Sequence, residues 1–144
     1  MFDADALVAG EASGSVFVLD EPLSFWGGLD PETGTIIDER HPQRGENVSG
    51  TVLAMAYGRG SSSSTGVLAE AIRLGTAPVA IVMAEPDLIV ALGAMVANEM
   101  YGTSCPVIVV GTSVFEILTT GTRIEITDGG TRVGIISDDM PSSL

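Results

Sequence analysis

The residues best suited to chemistry lie in the segment Tyr57–Gly66, which reads YGRGSSSSTG. It follows an apolar run that predicts a buried strand, and it precedes a segment with helical periodicity. The first N–H groups of a helix have no partner within the helix, and the helix dipole adds partial positive charge there. Gly58 and Gly60 permit a tight turn and a close approach of the backbone to a ligand. The segment therefore predicts a binding site for a carboxylate or a phosphate.

Arg59 and the serines supply the groups that such a site needs. The Arg59 guanidinium can hold an anion through two parallel hydrogen bonds. A serine can act as a base only where N–H donors and a nearby cation stabilise its alkoxide. Ser61, the first residue after the Gly-Arg-Gly turn, is the best placed for this role, and Gly60, Ser62 and Ser63 are candidates for substrate contacts. Alternatively the serines only cap the helix, although one cap accounts for one serine and not for four.

A second group of candidate residues lies in the long polar segment Glu21–Asn47. A segment of this length with little regular structure is usually functional or disordered, and its large aromatic rings favour an ordered loop over a site. Ser24, Trp26, Gly27 and Gly28 are the candidates, with the two glycines bringing backbone N–H groups to a substrate carboxylate. The alternative is a loop that is anchored by aromatic packing alone.

Composition excludes several classes of function. The 144 residues suffice for one domain, predicted over 1–144, with 45% hydrophobic residues and a net charge of −13. All six basic residues are arginines. This balance disfavours nucleic acid and anionic membranes, and the missing lysine excludes a P-loop. The single cysteine leaves too few thiols for an iron–sulfur or zinc site in this chain. We expect a cytoplasmic domain without a membrane span.

The elements that must position these residues follow from periodicity. Apolar runs at 51–57, 77–84 and 105–110 predict buried parallel strands, and the segments between them predict helices that end at Gly75 and Gly102. Residues 14–20 predict a further strand, and Asp128-Gly129-Gly130 predicts a hairpin. The fold class is α/β: a single three-layer β/β/α domain with a central β-α-β-α-β segment and a C-terminal hairpin.

Four further residue types have simpler interpretations. His41, the only histidine, lies in a charged loop and is expected at the surface or in a subunit contact. Asp30 opens a predicted turn, and whether it also orients Arg59 or meets a partner stays open. Cys105 is predicted to be a small core residue. The methionines Met55, Met83, Met95 and Met100 are predicted to lie in the core.

The motifs SFWGGLDPETGTIID, HP, GRGSSSS and YGTSCPVIVV together resemble the small subunit of the aconitase X family. The resemblance covers roughly Ser15 to Val133. It implies a swivelling domain of the aconitase type within a two-subunit hydro-lyase that dehydrates a hydroxy acid. It also implies that the family's proton acceptor maps onto Ser61, and that an iron or iron–sulfur centre belongs to the large subunit. This chain would then bind no metal and would act only with its partner.

The resemblance implies one of two substrates. Members of the family dehydrate either cis-3-hydroxy-L-proline or (R)-5-phosphomevalonate. Archaeal chains tend to read Gly-Lys-Gly-Ser-Thr, whereas this chain has Arg59 and a segment YGTSCPVIVV closer to the bacterial type. We therefore favour the hydroxyproline activity and keep the phosphomevalonate activity as the alternative, because arginine also binds phosphate well.

Two alternative functions belong to other classes. A phosphohistidine carrier would need a histidine where this chain has Ser61. A non-catalytic binding or regulatory module stays possible on the sequence alone.

Overall fold

The computed structural model describes residues 1–59 and 62–136. The described strands and helices are, in chain order, β1 (Phe2–Asp3), β2 (Asp5–Val8), β3 (Ala12–Val18), α1 (Phe25–Gly28), β4 (Leu29–Asp30), β5 (Thr35–Ile36), β6 (Val52–Met55), α2 (Ser63–Leu74), β7 (Ala80–Met83), α3 (Leu88–Tyr101), β8 (Val107–Val109), α4 (Thr112–Phe115), β9 (Arg123–Thr127) and β10 (Arg132–Ile136). Eight strands form one mixed sheet in the order β1-β10-β9-β3-β6-β7-β8-β2, and β4 and β5 form a separate pair.

The centre of the sheet is parallel, as predicted. Strands β3, β6, β7 and β8 pair in parallel, and α2 and α3 make the crossovers β6-α2-β7 and β7-α3-β8. Both helices end where a glycine takes the left-handed conformation: Gly75 has φ 79° and Gly102 has φ 66°. These two predicted helix ends are confirmed.

Alternate residues of the parallel strands serve two separate cores. In β6, Leu53 and Met55 belong to the core under α2 and α3, whereas Val52 and Ala54 face the opposite core. The opposite core is closed by residues of the hairpin, among them Ile124 of β9. The parallel sheet is therefore the middle of three layers, and the β/β/α architecture is confirmed.

The C-terminal hairpin is confirmed, and the sheet also contains two N-terminal strands at its two edges. Strands β9 and β10 pair antiparallel around the turn at residues 128–130. Strand β1 pairs with β10, and β2 pairs antiparallel with β8 at the far edge. Neither N-terminal strand was predicted, because each is short and exists through its pairing with a strand that is distant in sequence.

His41 is buried, so the expectation of a surface position is wrong. Only 5% of the residue is exposed. Its Nε2 lies 2.9 Å from the carbonyl oxygen of Glu21, and its Nδ1 accepts a hydrogen bond of 3.1 Å from the amide of Gln43. The imidazole thus binds two ends of the long segment together, and this is why a polar ring is tolerated in the interior.

The prediction that four methionines lie in the core is half right. Met55 and Met83 are fully buried in parallel strands, whereas Met95 and Met100 are exposed on α3. The error arises because α3 is apolar on both faces, and periodicity alone does not distinguish the face that packs on the sheet. Cys105 is buried, as predicted.

The segment Glu21–Asn47 is ordered, as expected. It contains the four residues of α1, the short pair β4 and β5, and a turn at Asp30. The Asp30 carboxylate accepts a hydrogen bond of 2.9 Å from the amide of Glu32, and its carbonyl accepts one of 2.8 Å from Gly34. Asp30 therefore has the predicted turn role.

Candidate functional site

The serine run connects the end of β6 to the start of α2, as the sequence indicates. Gly60 and Ser61, the candidate substrate contact and the candidate base, lie outside the described residues. The residues on either side of them define the location of the site. Arg59 is exposed before the gap, and Ser62 and Ser63 are exposed after it.

Ser62 does not cap α2 through its side chain. It occupies the N-cap position with helical angles, φ −59° and ψ −19°, and its hydroxyl makes no capping hydrogen bond among the described residues. A capping serine normally has extended angles that turn its oxygen back onto the helix. The capping interpretation therefore fails for Ser62, whose exposed hydroxyl stays a candidate for substrate binding.

Ser64 is the serine that sequence reasoning missed. Only 3% of it is exposed. Its hydroxyl accepts a hydrogen bond of 3.1 Å from the Trp26 amide and lies 3.3 Å from the hydroxyl of Ser24. The sequence did indicate that Ser64 is buried, because it precedes Leu68 by one helical turn and so continues the buried face of α2.

The hydrogen bonds around Ser64 form a closed ring. The Ser24 hydroxyl donates its single proton to the Trp26 carbonyl at 3.0 Å, so it can only accept in its contact with Ser64. Ser64 then donates to Ser24 and accepts from the Trp26 amide. Four polar groups of three residues are thereby satisfied together, and α1 is fixed against the N-terminal turn of α2.

The two aromatic residues of α1 point in opposite directions. Phe25 is buried in the core, whereas 61% of Trp26 is exposed. Trp26 and Gly27 depart from helical angles, and Gly27 has φ 79°. A side chain at Gly28 would overlap Leu23 of the loop. Gly27 thus suits the turn, and Gly28 lets the Leu23 side chain pack close to the α1 backbone. The exposed indole belongs to a residue whose backbone amide is bonded to Ser64.

The start of α3 also reaches this site. Asp87 caps α3, because its Oδ1 accepts hydrogen bonds of 2.8 Å from the Ile89 amide and 3.0 Å from the Val90 amide. A Cβ atom at Gly58 would overlap the carboxylate of Asp87. Gly58 is therefore needed so that the serine loop can lie directly against the capped end of α3.

The described residues offer no metal site and no membrane span. No three His, Cys, Asp or Glu side chains among residues 1–59 and 62–136 are grouped so that they could hold a metal ion. None of the helices in the same ranges is long and apolar enough to cross a bilayer.

Burial raises the pKa of the Cys105 thiol to about 12, so this cysteine is held neutral in the core.

Comparison with known proteins decides the family. The family model of the Aconitase X swivel domain matches residues 1–135. The chain belongs to the aconitase X swivel domain family. This match spans both candidate groups, the α1 loop and the serine run.

Similar proteins of this family fall into two groups by name. The swivel domain is 49% identical over 105 residues to a cis-3-hydroxy-L-proline dehydratase of Pseudomonas aeruginosa, covering 73% of this chain and 18% of that protein. A protein of the same name from Hypocrea jecorina is 38% identical, over 98% of this chain and 24% of its own length. A phosphomevalonate dehydratase small subunit of Thermococcus gammatolerans is 41% identical, over 64% of this chain and 70% of its own length. The chain thus spans about a quarter or less of the dehydratases named for hydroxyproline.

Solved structures agree with the architecture. The swivel domain superposes on a chain of the holo-form of Thermococcus kodakaraensis aconitase X with a TM-score of 0.82 and 31% identity, covering 94% of this chain and 97% of that one. The solution structure of a UPF0107 protein gives a TM-score of 0.81 and 33% identity, with 94% and 98% covered. The predicted swivelling α/β fold is confirmed.

Proposed function

We propose that this swivel domain is the small component of a hydro-lyase that dehydrates a hydroxy acid, and that its substrate is cis-3-hydroxy-L-proline. The observation that carries the proposal is the 49% identity to a cis-3-hydroxy-L-proline dehydratase over a stretch of 105 residues. The site supports it because Arg59 and the start of α2 suit the binding of a carboxylate.

Phosphomevalonate is the second candidate substrate. Relatives named phosphomevalonate dehydratase small subunit match this chain over about 70% of their own length, a larger share than the dehydratases named for hydroxyproline. Arg59 would hold a phosphate as readily as a carboxylate. A non-catalytic binding or regulatory module is a minor alternative, and the test below separates all three.

Ser61 is assigned the role of the base. Its place in the sequence, directly after Gly-Arg-Gly and just before α2, is where we expect the positive end of the helix and the Arg59 guanidinium to act on its hydroxyl. Both features would lower the free energy of a Ser61 alkoxide. The alkoxide takes up the proton next to the substrate carboxylate and becomes a neutral hydroxyl, while the C–O bond on the neighbouring carbon breaks and hydroxide leaves with the bonding electron pair. Arg59, Ser62 and Ser63 would hold the carboxylate while the proton leaves, with Gly60 allowing the backbone to approach. Ser24, Trp26, Gly27 and Gly28 would wall the pocket.

The partner is assigned to the aconitase X large subunit, or to the corresponding region of the longer relatives. The described residues do not fit a metal centre, and we derive no step through one on this chain. The iron or iron–sulfur centre that the resemblance implies is proposed to belong to the large subunit. Stoichiometric iron in the purified chain would contradict this placement.

The test is a reconstitution with the large subunit encoded in the same genome. Turnover of cis-3-hydroxy-L-proline supports the first assignment, turnover of (R)-5-phosphomevalonate replaces it with the second, and turnover of neither favours the non-catalytic module. Ser61→Ala is expected to lower kcat by at least about 100-fold, the lower end for a lost proton acceptor. Ser113→Ala, on exposed residue Ser113 of α4, is the matched control. Near-normal turnover by Ser61→Ala would remove Ser61 from the mechanism.

A further inference from the structure

Helix α3 presents apolar side chains to solvent along its outer face. Leu88 is 76% exposed, Leu92 49% and Met95 49%. Their spacing of four and three residues places them in one row, here named the α3 outer stripe, about 10 Å long. The opposite face of α3 is buried, so this helix is apolar on both sides.

The neighbouring helix shows what a solvated face of this layer looks like. On α2, Ser63 and Gly66 are exposed, and Glu70 and Arg73 form an ion pair at the surface. The two helices pack side by side, with Gly93 of α3 in close contact with α2. On α2 the large apolar residue Leu74, at the last position of the helix, is 41% exposed, but it is not part of a row. A row of exposed large apolar side chains is therefore found on α3 and not on α2, and a contiguous row of this kind marks an interaction surface.

The charged residues around the α3 outer stripe indicate which charges the rim of a partner surface should carry. Glu85 and Glu99 are exposed near the two ends of α3, and Asp87 caps its start. Residues 74–122 contain no arginine, lysine or histidine. A partner surface that fits has an apolar centre and a rim of arginine or lysine, which would meet the acidic border of the stripe.

The stripe is continuous with the candidate site. It begins at Leu88, the residue after Asp87, whose carboxylate lies against Gly58 of the serine loop. The serine loop and the first turn of α3 are therefore adjacent at this point. In the two relatives named for hydroxyproline, the matched part is only 18% and 24% of the protein. Most of each of these proteins therefore lies outside the matched part and is available to cover the corresponding surface.

We infer that the α3 outer stripe is a docking surface for the aconitase X large subunit, which meets it with an apolar patch and a basic rim. The identity of this partner rests on the proposed function. The location of the surface rests on the exposure, spacing and charge of α3. Docking along α3 would hold the partner over the serine loop with Leu88 buried at the edge of the shared site.

The experiment measures binding and needs no catalysis. The full chain is titrated with the large subunit by calorimetry, as wild type and as the double variant Leu92→Gln/Met95→Gln. Glutamine keeps the helix, so circular dichroism and Tm are expected to match the wild type. The Kd is expected to rise at least tenfold. Ile117→Gln/Ile135→Gln, at exposed apolar positions elsewhere, is the matched control and is expected to leave Kd unchanged.

Each outcome decides the inference. An unchanged Kd for Leu92→Gln/Met95→Gln overturns it, and so does a wild-type chain that does not bind the large subunit. Sedimentation of the chain alone tests a second copy as the occupant: a dimer that the double variant dissolves would also overturn it. If the glutamine variant unfolds, Leu92→Ala/Met95→Ala replaces it with the same expectation. A complex that is weakened as expected but dehydrates neither substrate contradicts the proposed function and leaves the docking surface intact.

Discussion

The amide of Trp26 donates a hydrogen bond of 3.1 Å to the hydroxyl of Ser64, so a buried serine of the run holds the loop that carries the exposed indole. The two residues are 38 positions apart in sequence. The bond joins the two motifs that the sequence marks as candidate sites. It holds the α1 loop, which carries Trp26, against the first turn of α2.

Ser64→Ala is expected to loosen the α1 loop. The Trp26 amide would lose its partner, at a cost of about 0.5–1.5 kcal/mol in the free energy of unfolding. Trp26 is the only tryptophan of the chain, so acrylamide quenching of its fluorescence reports on the loop directly. Quenching is expected to increase for Ser64→Ala and to recover in Ser64→Thr, which keeps the hydroxyl. Unchanged quenching in the alanine variant would show that the ring does not hold the loop.

Gly58→Ala is expected to displace the Asp87 carboxylate, because the added methyl group overlaps it. The expected loss is about 1–3 kcal/mol of unfolding free energy, together with reduced activity of the reconstituted complex. Gly66→Ala is the matched control: Gly66 lies exposed in α2 with open space around its Cα, and alanine there is expected to stabilise the helix by about 0.5–1 kcal/mol. Urea denaturation measures the free energy of unfolding of both variants. Equal stability of the two would contradict the close approach of Gly58 to the Asp87 carboxylate.

Arg59→Ala is expected to raise KM at least tenfold with a smaller change in kcat, because a clamp that binds substrate and transition state alike affects mainly binding. Arg59→Lys keeps the charge but loses the paired hydrogen bonds, so an intermediate KM is expected. Arg132→Ala, at an exposed position of β10, is the control for the loss of one positive charge. Steady-state kinetics of the reconstituted complex decide this, and an unchanged KM would argue for a structural role of Arg59.

Cys105 is expected to resist alkylation in the folded chain up to strongly alkaline pH, because burial raises the pKa of its thiol from 9.0 to about 12. Between these values the folded state keeps a proton that the unfolded state has lost. The contribution of Cys105 to stability is therefore full below pH 9.0 and is lost as pH rises towards about 12.

Iodoacetamide at pH 8.5 is expected to modify this single cysteine only after denaturant is added. The pH dependence of unfolding is expected to flatten above pH 9 in Cys105→Ala. Rapid alkylation of the native chain would place the thiol at the surface and contradict its burial.

The core and the sheet could be predicted from sequence because their signals are local. Runs such as Ala80–Met83 are apolar throughout, and Gly75 and Gly102 stop the helices where their conformation is accessible to glycine. The site was predicted in part for the same reason, since the glycines and serines between β6 and α2 mark a strand–helix junction. Ser64 was missed because its role depends on Trp26, a residue on another element.

Residue types and their spacing along the chain suffice to predict the three-layer fold, the helix ends and the junction that carries Arg59 and Ser61. The interior position of His41, the bond between Ser64 and the Trp26 loop, and the outer-face position of Met95 became evident from the packed structure alone. Each of these depends on which distant segment packs against the residue. A polar ring is buried only where carbonyl and amide partners meet it, and an apolar helix face is exposed where no other described segment packs on it.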